Sequence, residues 1–263
     1  MSIAKAAAQS AGKYIAESFG DRAQLVIEQK SLNDFVSEVD RHSEQVITAE
    51  LHRHFPSHRI LGEEYGVSGG LESPYTWIID PLDGTTNFLR GIPHFAVSIG
   101  LKHDDQLVLG VVYDPVKNEL FSAELGRGAQ MNGQTISVTN GGGLHGALLA
   151  TGVPYSGDPL ASLSAFTSTM TTLLAQQTSG IRRLGAAALD LAYVAAGRYD
   201  GFWESHLKPW DIAAGALLVT EAGGVVSDLA GRDNYLESGH VMAAGVQVHQ
   251  AMLPITAQTY LHL

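Results

Sequence analysis

The chain has 263 residues, 45% of them hydrophobic, a formal net charge of −11 and no cysteine. There is ample apolar material for one large domain or two ordinary ones. The negative charge argues against direct nucleic-acid or anionic-lipid binding as the main activity. The missing thiols exclude disulfides, thiolate zinc sites and cysteine nucleophiles.

Residues 1–21 space Ala and Ile at helical intervals but carry Lys5, Lys13 and Glu17, which predicts an amphipathic helix and not the apolar core of a signal peptide. No window reaches the roughly 20 apolar residues needed to cross a bilayer, so a cytoplasmic location without a membrane partner is expected. A second helix is expected from about Ser37 to Phe55, with Val39, Val46, Ile47 and Leu51 on one stripe and Pro56 ending it. Short apolar runs at 59–62, 76–80, 95–102, 107–113 and 119–123, divided by polar turns, read as a meander of antiparallel strands. The glycine-rich run Asn140–Gly146 is the best internal boundary. It separates an N-terminal α+β part, 1–140, from a C-terminal α/β part, 141–263. In the latter, helical segments near 159–177, 186–197, 210–222 and 248–260 alternate with short runs at 201–204 and 225–229.

Chemistry concentrates where apolar runs end. In "WIIDPLDGTTNF", 77–88, a buried strand delivers Asp80 and Asp83 toward its carboxyl end, and Gly84-Thr85-Thr86 can present N–H groups and hydroxyls to a phosphate. Two bare carboxylates there repel unless a proton or cation joins them. Glu63-Glu64 follow "RILG", and Asp211 sits in the first turn of a helix that Pro209 opens and Gly223-Gly224 close. Each has an ordinary reading: a capped turn, an exposed acidic loop, an acid favourable to a helix dipole. Together they describe an oxygen-rich cage for hard divalent cations and a phosphate. A further cluster is Lys30-Ser31 with Asp34 and Asp40, where Asp40 is expected on the solvent side of its helix unless it faces the cage. Gly66–Gly70 matches G-x-S-x-G but has no strand before it or helix after it, and reads as a flexible loop. His52, His54 and His58 lack metal-ligand spacing and read as decoration of a solvated helix face, and no nucleotide-triphosphate P-loop occurs.

The motifs "GEE" (62–64), "DPLDGTTNF" (80–88) and "WDIAAG" (210–215), in this order, resemble those of the magnesium-dependent, lithium-sensitive inositol monophosphatase family. The likeness runs over nearly the whole chain, and the segments 113–133 and 188–204 look like the bacterial subgroup. The resemblance implies a layered αβαβα sandwich of the sugar-phosphatase type, mixed α+β and α/β, and a homodimer. It implies two or three Mg²⁺ per subunit held by Glu63, Asp80, the Leu82 carbonyl, Asp83 and Asp211, with the role of Glu64 less direct. Gly84 and Thr85 would bind phosphate through their N–H groups. Thr85, Asp40 and Glu63 would position and deprotonate a metal-activated water. Asp83, Gly185, Ala187, Glu204 and Asp211 would line the site for the alcohol.

One departure is Gly185-Ala186-Ala187-Ala188, where many relatives place a hydroxyl after the glycine; this bears on sugar preference more than on catalysis. The implied activity is hydrolysis of myo-inositol 1-phosphate by direct attack of water, without a covalent intermediate. The related alternatives are a 3′(2′),5′-bisphosphate nucleotidase, histidinol phosphatase or fructose-1,6-bisphosphatase. A different alternative is a non-catalytic partner of the transcription antitermination machinery, binding a transcription factor or RNA polymerase, with Arg182-Arg183 as a contact. The ordinary reading of that arginine pair is surface charge or a dimer salt bridge.

Overall fold

The computed structural model describes residues 1–21, 27–31, 34–154 and 159–260, with side chains at 1–21, 37–154 and 162–260. The chain begins with α1 (Ser2–Gly20), a hairpin of β1 (Ile27–Ser31) and β2 (Asp34–Ser37), and α2 (Glu38–His54). Next come β3 (Arg59–Gly62), β4 (Gly66–Gly69), β5 (Tyr75–Asp83) and the short α3 (Thr85–Arg90). A run of strands follows: β6 (Ala96–His103), β7 (Gln106–Asp114), β8 (Glu119–Glu124), β9 (Ala129–Met131) and β10 (Gln134–Ile136). Beyond the glycine-rich segment lie β11 (Leu148–Thr151), α4 (Pro159–Ala175), β12 (Gly180–Arg182), α5 (Ala187–Ala195) and β13 (Gly201–Glu204). The chain continues through α6 (Pro209–Glu221), β14 (Val225–Ser227), α7 (Tyr235–Ser238), β15 (Val241–Ala244) and α8 (Val246–Tyr260).

The elements stack as helix, sheet, helix, sheet, helix, as the family resemblance implies. An eight-stranded sheet has the order β10-β9-β8-β7-β6-β5-β3-β4, and a five-stranded sheet the order β12-β11-β13-β15-β14. α1 and α2 cover the outer face of the first sheet. Ala4, Ala7, Ala8, Ala11 and Ile15 recur at helical spacing and are buried with Val39, Ile47 and Leu51 against Trp77, Ile79, Val97, Ile99 and Val111. α5 and α6, buried on nearly every side, fill the space between the sheets, and their apolar cluster runs from Ile78 to Ala243. α4 and α8 close the far face over Leu149, Trp203 and Met242. No helix among the described residues is long and apolar enough to cross a membrane.

Two expectations fail. Gly66–Gly70 is no loop: Gly66–Gly69 pairs antiparallel with β3 as the sheet's edge strand. An edge strand needs backbone partners but not an apolar face, so its sequence carries no strand pattern; Gly66 and Gly69 take φ of 67° and 79° at its two ends. The first sheet is also not wholly antiparallel, because the β4 hairpin returns the chain to the start of β3 and β5 runs parallel to it, Gly62 opposite Ile79. That parallel pair puts the carboxyl ends of β3 and β5 side by side.

Candidate active site

The site grows from that shared sheet end. Glu63 follows directly on β3, and its N–H donates to the Ile79 carbonyl at 3.1 Å, which sets it beside Asp80. In a regular strand Asp80 and Asp83 would point to opposite faces. β5 carries a bulge between them: Asp80 pairs with Ser98 and Asp83 with Ala96, so three steps on β5 match two on β6. The extra residue turns both acids to one face. Pro81 sits in the bulge, where a missing N–H costs no ladder bond, and Leu82 N–H donates to Asp80 Oδ1 at 2.9 Å.

α6 brings the third acid. Gly100 on β6 and Gly110 on β7 lie under Ala213 and Ala214, and a Cβ at either glycine would collide with the helix. The glycines therefore let α6 rest close on the sheet. Ser98 Oγ donates to the Trp210 carbonyl at 3.0 Å and pins the helix start next to Asp80's partner strand. Asp211 caps its own helix by accepting Lys208 N–H at 2.7 Å. As a result Asp80, Asp83 and Asp211 each offer a carboxylate oxygen within 4.8 Å of the others.

Burial pushes the Asp80 carboxyl well up, and the charges of Glu63, Asp83 and Asp211 push it further; Asp80 also hydrogen bonds the Glu63 carboxyl. Asp83 rises to about 7 through burial and the Asp211 charge, against the pull of Ala188, Ala187 and Leu189 N–H groups. Asp211 rises to about 6 through burial, and Glu204 to about 8 through burial and then Asp211 and Asp83. Crowded carboxyls that can relax by taking protons can relax equally by taking cations, and an all-oxygen donor set suits Mg²⁺ or another hard divalent ion.

Asp40 is 1% exposed, contrary to the solvent-facing expectation. It lies on the buried stripe of α2 and accepts Ser37 N–H at 2.8 Å, Ser37 Oγ–H at 2.6 Å and Thr85 Oγ–H at 2.8 Å. The same hydroxyl of Thr85 lies 3.0 Å from the Leu82 carbonyl. Burial raises the Asp40 carboxyl, although these hydrogen bonds pull it down. Gly84 precedes α3 with φ 93°, where a Cβ would press on the His94 carbonyl and Phe95 Cα.

The C-terminal residues named from the sequence meet these. Asp83 Oδ2 accepts Ala188 N–H at 2.7 Å at the start of α5, and Gly185, φ 83°, leads into that helix. Glu204 ends β13, half-buried and electrostatically coupled to Asp83 and Asp211. Glu64 turns its N–H to Glu44. Lys30, Ser31 and the side chain of Asp34 fall outside the described side chains.

The inositol monophosphatase family profile matches residues 1–261. The chain belongs to the inositol monophosphatase family. A Nus factor SuhB of Pseudomonas aeruginosa is 49% identical over 255 residues, spanning 96% of this chain and 94% of that protein. An inositol-1-monophosphatase of Mesorhizobium japonicum is 46% identical over 247 residues, 94% and 92% of the two. The crystal structure of extragenic suppressor protein SuhB from Bartonella henselae matches with TM-score 0.92 and 39% identity, covering 100% of this chain and 99% of that one. The family is one of metal-dependent phosphatases, which agrees with the acidic cluster.

Three supporting residues escape the motif reading. Buried Glu44 accepts Glu64 N–H at 2.8 Å and Tyr65 N–H at 3.1 Å and so holds the turn that carries Glu63, filling the space left by Gly62. Asn87 Nδ2 donates to the His94 and Leu184 carbonyls, each at 2.8 Å, and ties α3 to the segment before Gly185. Asp190 is 1% exposed, and its carboxyl is driven well up by burial and then by Glu204 and Asp83. A signal existed for Asn87, since it stands within the quoted motif. His58 also departs from expectation: it lies past α2, stacked between Phe55 and Tyr75, with its Nδ1 3.1 Å from Trp77 Nε1.

Proposed function

We propose that the protein hydrolyses a small phosphate monoester, myo-inositol 1-phosphate foremost, with Mg²⁺ held by Glu63, Asp80, Asp83, Asp211 and the Leu82 carbonyl. The observation that carries this is the bulge in β5, which turns Asp80 and Asp83 together beside Asp211. Bound divalent ions, two or three per subunit, supply charge neutralisation for the phosphate and the leaving oxygen and make water a stronger acid. The chain's own residues supply position. Gly84 and Thr85 N–H groups receive phosphate oxygens. The Thr85 hydroxyl orients the attacking water and passes its proton toward Asp40, to which it is already bonded at 2.8 Å, while Glu63 holds that water from the other side. Asp83, Gly185, Ala187, Glu204 and Asp211 hold the alcohol part.

A panel of inositol 1-phosphate, adenosine 3′,5′-bisphosphate and fructose 1,6-bisphosphate, with Mg²⁺ and with EDTA, tests this. Preferred release from inositol 1-phosphate that stops in EDTA supports it; equal release in EDTA sinks it. A different leading substrate would move the protein to the nucleotidase or fructose-bisphosphatase alternative.

A second reading rests on the relative named a Nus factor: the protein also joins the transcription machinery, with exposed Arg182 and Arg183 at the edge strand β12 as the contact. Retention of RNA polymerase by a catalytically dead variant and its loss in an Arg182→Ala/Arg183→Ala variant would support that role. We also infer a homodimer, favoured by exposed Ile92 and Leu184 on either side of Asn87. Gel filtration at the mass of a single chain would refute it.

A further inference from the structure

A cavity of about 880 Å³ opens on the inner face of the first sheet, and its lining includes none of Glu63, Asp80, Asp83, Glu204 and Asp211. Its floor follows from register. Arg59, Thr76 and Lys102 stand opposite one another on β3, β5 and β6, with Leu61 and Ile78 in the next row. The row beyond holds Glu63 and Asp80, so the cations lie about 13 Å along the strands from the acids.

In a chain of net charge −11, two neighbouring cations lining one cavity need a reason. Arg59 has no ion-pair partner among the described residues, and its Nε is buried without a hydrogen-bond partner. Such a donor is costly to leave unmade. Among the described residues Lys102, its side chain 19% exposed, pairs with Asp105 alone, at 3.7 Å, and Asp105 projects fully into solvent. The other acids of the lining, Asp104 and Glu237, are exposed on the rim, and Lys208 adds a third cation there. Arg59 and Lys102 thus bring positive charge to the sheet side of the cavity, while its acids are exposed. Beside the cations, in the next row along the strands, the wall is apolar, from Leu61 and Ile78, and Leu236 adds to it. Size, apolar wall and a few polar anchors together suit a small organic ligand.

We propose that this cavity is a second binding site, for a small organic phosphate whose anionic group bonds Arg59 and Lys102 while its apolar body lies against Leu61, Ile78 and Leu236. The site carries its own positive charge and needs no metal. Calorimetric titration of the full-length protein with phenylphosphonate, which cannot be hydrolysed, tests this in Mg²⁺ and in EDTA. In EDTA one saturable site is expected, and in Mg²⁺ the same site persists beside any additional, Mg²⁺-dependent binding at the acidic cluster. Arg59→Met and Lys102→Met, which keep the apolar stems, should each weaken it at least tenfold while melting near the wild type. Inorganic phosphate, lacking the apolar body, should bind at least tenfold more weakly. Absence of saturable binding, binding seen only in Mg²⁺, or affinity unchanged in both variants would overturn the proposal.

Discussion

Replacing Asp83 by asparagine should move stability and activity in opposite directions. In the metal-free protein the Asp83 carboxyl is 8% exposed and raised from 3.8 to about 7 by burial and the Asp211 charge. A carboxyl whose folded pKa lies above its unfolded value contributes stability in acid and loses that contribution as pH rises through the folded pKa. The metal-free wild type should therefore weaken from about pH 4 to pH 7. Three units correspond to about 4 kcal/mol. That figure is a ceiling, since Asp211 relieves part of the same repulsion by binding a proton. Asparagine keeps an oxygen for the Ala188 N–H and carries no charge, so Asp83→Asn in EDTA at pH 8 should melt higher, by up to about 10 °C for a chain of this size. The advantage should vanish near pH 4. Mg²⁺ at a hundred times its Kd should add about 2.7 kcal/mol to the wild type and far less to the variant. Phosphate release should fall on the order of a thousandfold. Scanning calorimetry in EDTA and in Mg²⁺, from pH 4 to 8, checks all of this. A variant that melts no higher in EDTA at pH 8, and gains as much from Mg²⁺, would refute the reasoning.

Other residues give separate readouts. Thr85→Ala removes the hydroxyl bonded to Asp40 and should lower kcat about a hundredfold with little change in Mg²⁺ dependence, while Thr85→Ser restores most of it in steady-state assays. Glu44→Ala strands two N–H groups and empties the space beside Gly62; urea unfolding should register a loss of about 2–4 kcal/mol, and activity should require more Mg²⁺. Asn87→Ala unties the Leu184 carbonyl from α3, and KM should rise about tenfold with a smaller change in kcat.

Much of this was legible in the residues. The α2 stripe and its Pro56 stop, the Pro209 start of α6 and its glycine end, and the end of the run at 59–62 placed Glu63 and Asp211 at element termini, whereas Asp80 lies inside β5, which runs on to Asp83. The layered fold followed from the family resemblance. What periodicity could not convey was pairing. Nothing local to 59–62 or 75–83 says that these strands run parallel, since that depends on where the β4 hairpin returns the chain. The bulge was hidden likewise, because its register is fixed by the partner strand, although Pro81 between two acids hinted at it. Asp40 departs from its sequence pattern because an acid on an amphipathic helix ordinarily faces water; here Ser37 and Thr85 satisfy it in the interior. Glu44 gave no signal at all, since its partners are backbone N–H groups twenty residues away.

The central claim is that Glu63, Asp80, Asp83 and Asp211 crowd together in order to hold divalent ions. A crystal equilibrated with Mn²⁺ and measured at the manganese absorption edge tests it most directly. The account requires anomalous peaks within coordinating distance of Asp80, Asp83 and Asp211. A pocket without such peaks at millimolar Mn²⁺, in crystals of protein that hydrolyses phosphate esters with Mn²⁺ in solution, would contradict it.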